Sequence, residues 1–138
     1  MKNKTLITFI LFAVLPLLTA MGGLQGQSPE KIPVPAKKFV ATFIDQMDVT
    51  TECQDVSIEG ETFLEGMRGN GINTLPFESI QEVSFLLKGV DLLGIVKLRD
   101  GNTFELTIEK NHKAYGRTKY GTFQIKLLDL KKLTLRKS

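Results

Sequence analysis

Among side chains that could carry out chemistry, this 138-residue chain has one histidine, His112, and one cysteine, Cys53, and it has no tryptophan. A single histidine can act as a general base or as one metal ligand, but it cannot furnish a zinc site made of several Cys and His. His112 lies in the polar tract Glu109–Lys113, with no nucleophile near it in sequence, which is the pattern of a solvated loop residue. Asp45, Asp48, Glu52 and Asp55 offer hard oxygens of the kind calcium prefers. They lack the closely spaced, glycine-containing ligand loop of an EF-hand and read as surface acids. No catalytic residue, cofactor or metal site is expected from these residues. The basic side chains Lys126, Lys132 and Arg136 alternate with Ile125, Leu127, Leu133 and Leu135, so period-two spacing assigns them one outward face. That face is a candidate anion site, suited to anionic lipid headgroups. Nucleic acid fits less well, because single strands call for stacking aromatics and only Tyr115 and Tyr120 are near.

The elements that would position these residues begin after an N-terminal segment that is set apart from the fold. Met1–Lys4 is basic, Thr5–Ala20 is apolar or neutral, and small residues follow, which is the order of a secretory signal peptide. The apolar run of about 15 residues is short of the ~20 that span a bilayer. Small residues at Ala20 and Gly22 favour cleavage after Gly22, giving segment 1–22, with Ala20 and Gly26 as alternative sites. Residues 23–38 carry Pro29, Pro33 and Pro35 and read as a semi-rigid, extended tether. In the oxidising compartment this implies, Cys53 is either a small buried hydrophobe or a partner for a thiol on another molecule.

The remaining domain, 39–138, alternates with period two, as in Thr103–Ile108, where Phe104, Leu106 and Ile108 share one face. Three hairpins are predicted around Gly69-Asn70-Gly71, Asp100-Gly101-Asn102 and Lys119-Tyr120-Gly121. Phe39, Phe43, Phe63, Phe77, Phe85, Phe104 and Phe123 fall at strand-like spacings as core formers. Ser84–Leu93 is the best helical candidate, reduced by Gly89 and Gly94 to a turn or short connector.

An ungapped shift of 50 residues lays Val56–Phe85 over Leu106–Leu135. Gly66 meets Gly116, Gly71 meets Gly121, and Leu75, Phe77, Ile80, Val83 and Phe85 meet Ile125, Leu127, Leu130, Leu133 and Leu135. The fold class expected is therefore all-β: a small β-sandwich or partly open barrel of two related repeats of about 45 residues, 39–87 and 88–138. Charge divides along the same line. Residues 39–87 hold nine acids against Arg68 alone, and residues 88–138 hold twelve Lys and Arg against five acids, giving −8 and +7. Packed halves would pair these charges; exposed halves would favour head-to-tail association.

The second half reads Val96-x-Leu98-x-Asp100-Gly101, then Gly116-x-Thr118-x-x-Gly121-x-x-x-Ile125-x-Leu127, then Leu130 and Leu133. It resembles a short β-repeat motif found in many exported bacterial proteins, made of turn glycines and core positions. The resemblance covers about 40 residues and implies a small barrel or SH3-like sheet with no catalytic residues. The first half departs from it, having no Asp-Gly turn at Thr50-Thr51. The expectation is an exported, periplasmic or extracellular β-repeat module, interaction or structural, that binds a protein partner or its own copy without catalysis. The alternative is an anion-binding protein at the membrane surface.

Overall fold

The period-two segments form ten antiparallel strands in the computed structural model, which describes residues 31–137. In chain order they are β1 (Phe39–Asp45), β2 (Thr50–Ile58), β3 (Phe63–Arg68), β4 (Gly71–Pro76), β5 (Ile80–Lys88), β6 (Asp91–Leu98), β7 (Thr103–Ile108), β8 (Lys113–Thr118), β9 (Gly121–Lys126) and β10 (Leu130–Lys137). Short 3-10 turns, Phe77–Ser79 and Leu127–Asp129, lead into β5 and β10. The strands make one sheet, ordered β4-β3-β7-β6-β5-β10-β1-β2-β8-β9 and curled into a half-barrel with β4 and β9 at its edges. Of the two architectures expected, the partly open barrel is the nearer, because among the described residues a single sheet curls around the core and no second sheet faces it. The expected signal segment 1–22 and residues 23–30 of the expected tether lie outside the described residues.

The curl follows from alternation. In β1 the residues Phe39, Ala41 and Phe43 point inward, and β5 and β10 contribute Ile80, Val83, Phe85, Leu130, Leu133 and Leu135 to the same core. Burying each such large apolar side chain contributes about 1.5–3 kcal/mol before conformational entropy is counted. The 3-10 turns add Phe77 and Leu127, both fully buried, and Phe77 meets Phe39 edge to face at 5.5 Å. This explains why the apolar residues Leu75, Phe77, Ile80, Val83 and Phe85, and their counterparts Ile125, Leu127, Leu130, Leu133 and Leu135, are spaced 2, 3, 3 and 2 apart and not by two throughout. A strand hands over to a tight turn, and the next strand resumes on the same inner face.

All three predicted hairpins form, as β3–β4, β6–β7 and β8–β9. Ser84–Leu93 is corrected: it is neither a helix nor a connector but the body of the β5–β6 hairpin, with Leu86 opposite Leu93 and Leu87 opposite Leu92. The helical look arose because these strands carry apolar residues on both faces. Gly94 is an inward strand position, and the side chain of Ile108 occupies the space a Cβ there would need. The described end of the expected tether is docked: Pro35 is buried, Lys37 Nζ lies 2.7 Å from Glu78 and Lys38 Nζ lies 3.4 Å from Asp55.

The strands pair over ladders of unequal length. At the sheet centre β5 meets β10 through Val83 and Leu133, flanked by Glu82 opposite Thr134 and Ser84 opposite Lys132. That ladder is short, and two further seams on either side of it are also short. β2 and β8 are in register at Gln54, Ser57 and Ile58, with a bulge at Asp55, whose φ is 51°. β3 and β7 are in register at Met67 and Thr107 alone. A glycine lets the strands approach at each seam: Gly116 faces Cys53, and Gly66 faces Leu106.

Candidate interaction surface

Residues directly opposite one another in a sheet share a face, so the registers trace rows across the outer surface. One row runs Ile72, Met67, Thr107, Leu93, Leu86 over β4, β3, β7, β6 and β5. It is largely apolar and open, with Ile72 66% exposed and Leu86 53% exposed, and Val90 at the β5–β6 turn reaches 78%. Such a row differs from scattered surface hydrophobes, because its members are contiguous and it ends at an edge strand. The other half of the sheet carries a second row, Thr122, Arg117, Gln54, Val40, Arg136, over β9, β8, β2, β1 and β10. That row is polar and includes two arginines.

Each row crosses a short seam, and where the seam strands splay apart a groove opens. The first, about 310 Å³, is lined by Met67, Ile72, Val90, Leu92 and Ile108, with Glu65, Glu109 and His112 at its polar side. The second, about 510 Å³, has Arg117, Lys119 and Tyr120 on one wall and Thr50–Gln54 on the other.

β4, at the apolar edge, reads Gly-Ile-Asn-Thr-Leu-Pro and carries no charge. Edge strands usually carry charged side chains, proline or other blocks to pairing; β4 has proline only at its last residue, Pro76, which leaves Gly71–Leu75 as an uncharged edge beside apolar surface. β9, at the opposite edge, ends in Lys126 and follows Lys119.

The structure does not assemble the three basic residues singled out in the sequence. Lys126 is on β9, four strand positions from β10, which carries Lys132 and Arg136. Lys132 Nζ lies 3.2 Å from Glu82, and Arg136 Nη2 lies 3.6 Å from Glu52. With Lys131 to Asp48 at 2.6 Å, these bridges join the basic half to the acidic half, because β10 lies between β5 and β1. The charge dipole read from the sequence is thus partly paired within the fold.

His112 is exposed in the β7–β8 loop; its N–H donates to Glu109 O and its carbonyl accepts from Leu127 N–H. Of the four acids considered for calcium, Asp48, Asp55 and Glu52 each face a cation, and Asp45 Oδ1 caps the β1–β2 turn by accepting from Met47 and Val49 N–H. Among the described residues no cluster of three or more His, Cys, Asp or Glu is placed to hold a metal. Cys53 is buried opposite Ala41, and burial pushes its thiol pKa up to about 11. Sequence reasoning missed the apolar outer row. Its signal was present in the doublets Leu86-Leu87 and Leu92-Leu93, which put apolar residues on both faces of a strand.

Fold and surface together define an all-β protein of one curled ten-stranded sheet among the described residues, with an apolar groove at the β3–β7 seam and a cationic groove at the β2–β8 seam. The chain belongs to a protein family whose description is "Uncharacterised protein", its model matching residues 35–138. No curated protein and no solved structure matches the chain.

Proposed function

We propose that this is an exported, non-enzymatic interaction module, periplasmic or extracellular, that captures a partner's β-strand along β4 and the adjoining apolar row. The observation that carries this reading is the continuity of Ile72, Met67, Thr107, Leu93 and Leu86 with an uncharged edge strand. Backbone groups on the free side of β4 would supply affinity, and the apolar row would supply specificity through alternate side chains. The signal-like segment 1–22 supports export. A saturable turnover lost in His112→Ala would count against the non-enzymatic part.

The module is built, on this reading, from two related halves. Three features support it. Exchanging β1–β5 with β6–β10 turns the strand order into its own reverse. Val83 and Leu133, 50 apart in sequence, face each other at the sheet centre. Equivalent bulges interrupt β5 between Ile80 and Glu82 and the β1–β10 ladder opposite Leu130 and Lys132.

Site-specific photocrosslinking in the native cell tests the proposal. A photoreactive residue at Ile72 should give one discrete protein adduct, either a partner or a second copy, and Met67→Lys should remove it. The same probe at Gln124 on β9 should not give that adduct. No adduct from position 72, or identical adducts from both edges, would overturn the assignment of the surface.

A further inference from the structure

We propose that the groove at the β2–β8 seam is a binding site for a phosphate-type oxyanion, held by Arg117 and Lys119. The argument starts from the arginines. The chain has four, and three are engaged: Arg68 stacks on Phe104, Arg99 donates to the carbonyls of Glu78 and Leu135, and Arg136 reaches Glu52 and Thr42. Arg117 is half-buried on the groove wall and has no hydrogen-bond, ion-pair or ring partner among the described residues. A planar guanidinium with its donors unused, in a concave site, is matched to an oxyanion that can accept two parallel bonds.

The surroundings narrow the chemistry. Lys119 follows on the β8–β9 turn, adding a second positive charge, and its ammonium lies 5.0 Å from the centre of the Tyr120 ring. Thr50 and Thr51 line the opposite wall, where β2 has no residue in register with β8. Two cations and nearby hydroxyls offer more donors than the two oxygens of a carboxylate can use, which favours a tetrahedral dianion. The groove, about 510 Å³, is larger than the anion itself, and Tyr120, 87% exposed at its lip, offers a ring for the organic body attached to the phosphate. Glu52 is the carboxylate on this wall, and its charge is engaged: Oε1 lies 3.6 Å from Arg136 and accepts from Thr42 Oγ1 at 3.3 Å.

The other seam provides an internal contrast. Met67 stands 50 residues before Arg117, at the corresponding place beside a short seam, and there the groove is apolar. Methionine is therefore the substitution the fold already accepts at such a position. This inference is independent of strand capture at β4, which involves the opposite edge of the sheet.

The test uses the full chain and follows backbone amide shifts of Arg117–Gly121 during titration with inorganic phosphate, with acetate as the comparison. A saturable shift with phosphate and a weaker response to acetate are expected. Arg117→Met should weaken phosphate binding by at least about tenfold, or about 1.4 kcal/mol, while the thermal midpoint stays unchanged; Arg117→Lys should weaken it less. Cosedimentation with phosphatidylglycerol vesicles, against phosphatidylcholine vesicles, separates the sources. Binding to phosphatidylglycerol that is lost in Arg117→Met assigns a lipid headgroup, and phosphate binding without vesicle binding assigns a soluble phosphoester. Equal response to acetate, unchanged affinity in Arg117→Met, or no binding in either arm would overturn the proposal.

Discussion

Adding one methyl group at the β3–β7 seam and one at the β2–β8 seam tests whether these junctions depend on backbone proximity. A Cβ built at Gly116 would lie 2.5 Å from Cys53 Cβ, 3.0 Å from Cys53 Sγ and 3.2 Å from Val56 Cγ1. At Gly66 it would lie 2.8 Å from Leu106 Cβ and 3.0 Å from the carbonyl oxygen of Thr107. The nearest atoms are Cβ and backbone atoms, which no rotamer change can move, so either substitution must push the strands apart. Overpacking of this kind costs about 1–3 kcal/mol. For a domain of this size that lowers the melting temperature by about 4–20 °C. Gly66→Ala and Gly116→Ala should each show such a loss by thermal unfolding followed by circular dichroism. Gly71→Ala is the control: its Cβ would meet only Arg68 O at 3.7 Å, and the change should stay within about 0.5 kcal/mol. The two seams lie on opposite sides of the sheet centre, so the double variant should show nearly additive losses. If Gly66→Ala and Gly116→Ala melt with the control, close packing does not hold the seams and the account of the grooves fails.

Lys132→Glu places a carboxylate beside Glu82 and should cost about 0.5–1 kcal/mol at low salt, with less lost in 1 M salt, where the Debye length is about 3 Å. Adding Glu82→Lys in the same chain should restore the urea midpoint. Cys53 should resist alkylation by iodoacetamide until the protein unfolds, because burial keeps its thiol protonated. As pH rises from the ordinary thiol range toward about 11 the unfolded chain loses that proton first, so stability should fall across this window and Cys53→Ala should flatten the fall. The hydrogen bond from Lys37 Nζ holds the Glu78 carboxyl below the usual range. The stability it lends is present above that range and lost as pH falls through the lowered value. Lys37→Met should move the Glu78 titration upward, as read by carboxyl NMR shifts.

Much of the fold could be read from spacing. The hairpins at Asn70, Asp100 and Tyr120 were visible because glycine marks the turn and alternating residues flank it. The handover from strand to 3-10 turn to strand is encoded in the spacing of Leu75, Phe77 and Ile80, since all three reach one core. The β5–β6 hairpin was not visible, because Leu86 and Leu93 place apolar residues on the outer face and break the alternation that identifies a strand. For the surface, the sequence identified charge but not adjacency. Lys126, Lys132 and Arg136 share a parity, yet parity assigns a face and not a neighbourhood. Strand order, which depends on contacts far apart in sequence, sets Lys126 at the edge and the other two beside acids.

That strand order also determines which charges remain for a partner. β10 lies between β5 and β1, so Lys131, Lys132 and Arg136 meet Asp48, Glu82 and Glu52. Each exposed pair contributes little to stability. Together they neutralise the centre of the outer surface, where an uncompensated field would attract many ions without selectivity. The two outer hairpins are left with contrasting character. β8–β9 carries Lys113, Arg117, Lys119 and Lys126 without an acid, whereas β3–β4 carries Glu65 and Arg68, which balance. A head-to-tail sheet joining β9 of one copy to β4 of another would set this basic hairpin against a neutral one. Charge therefore gives that assembly little to work with, which favours the two separate proposals made above: a strand at the apolar edge and an oxyanion at the cationic seam.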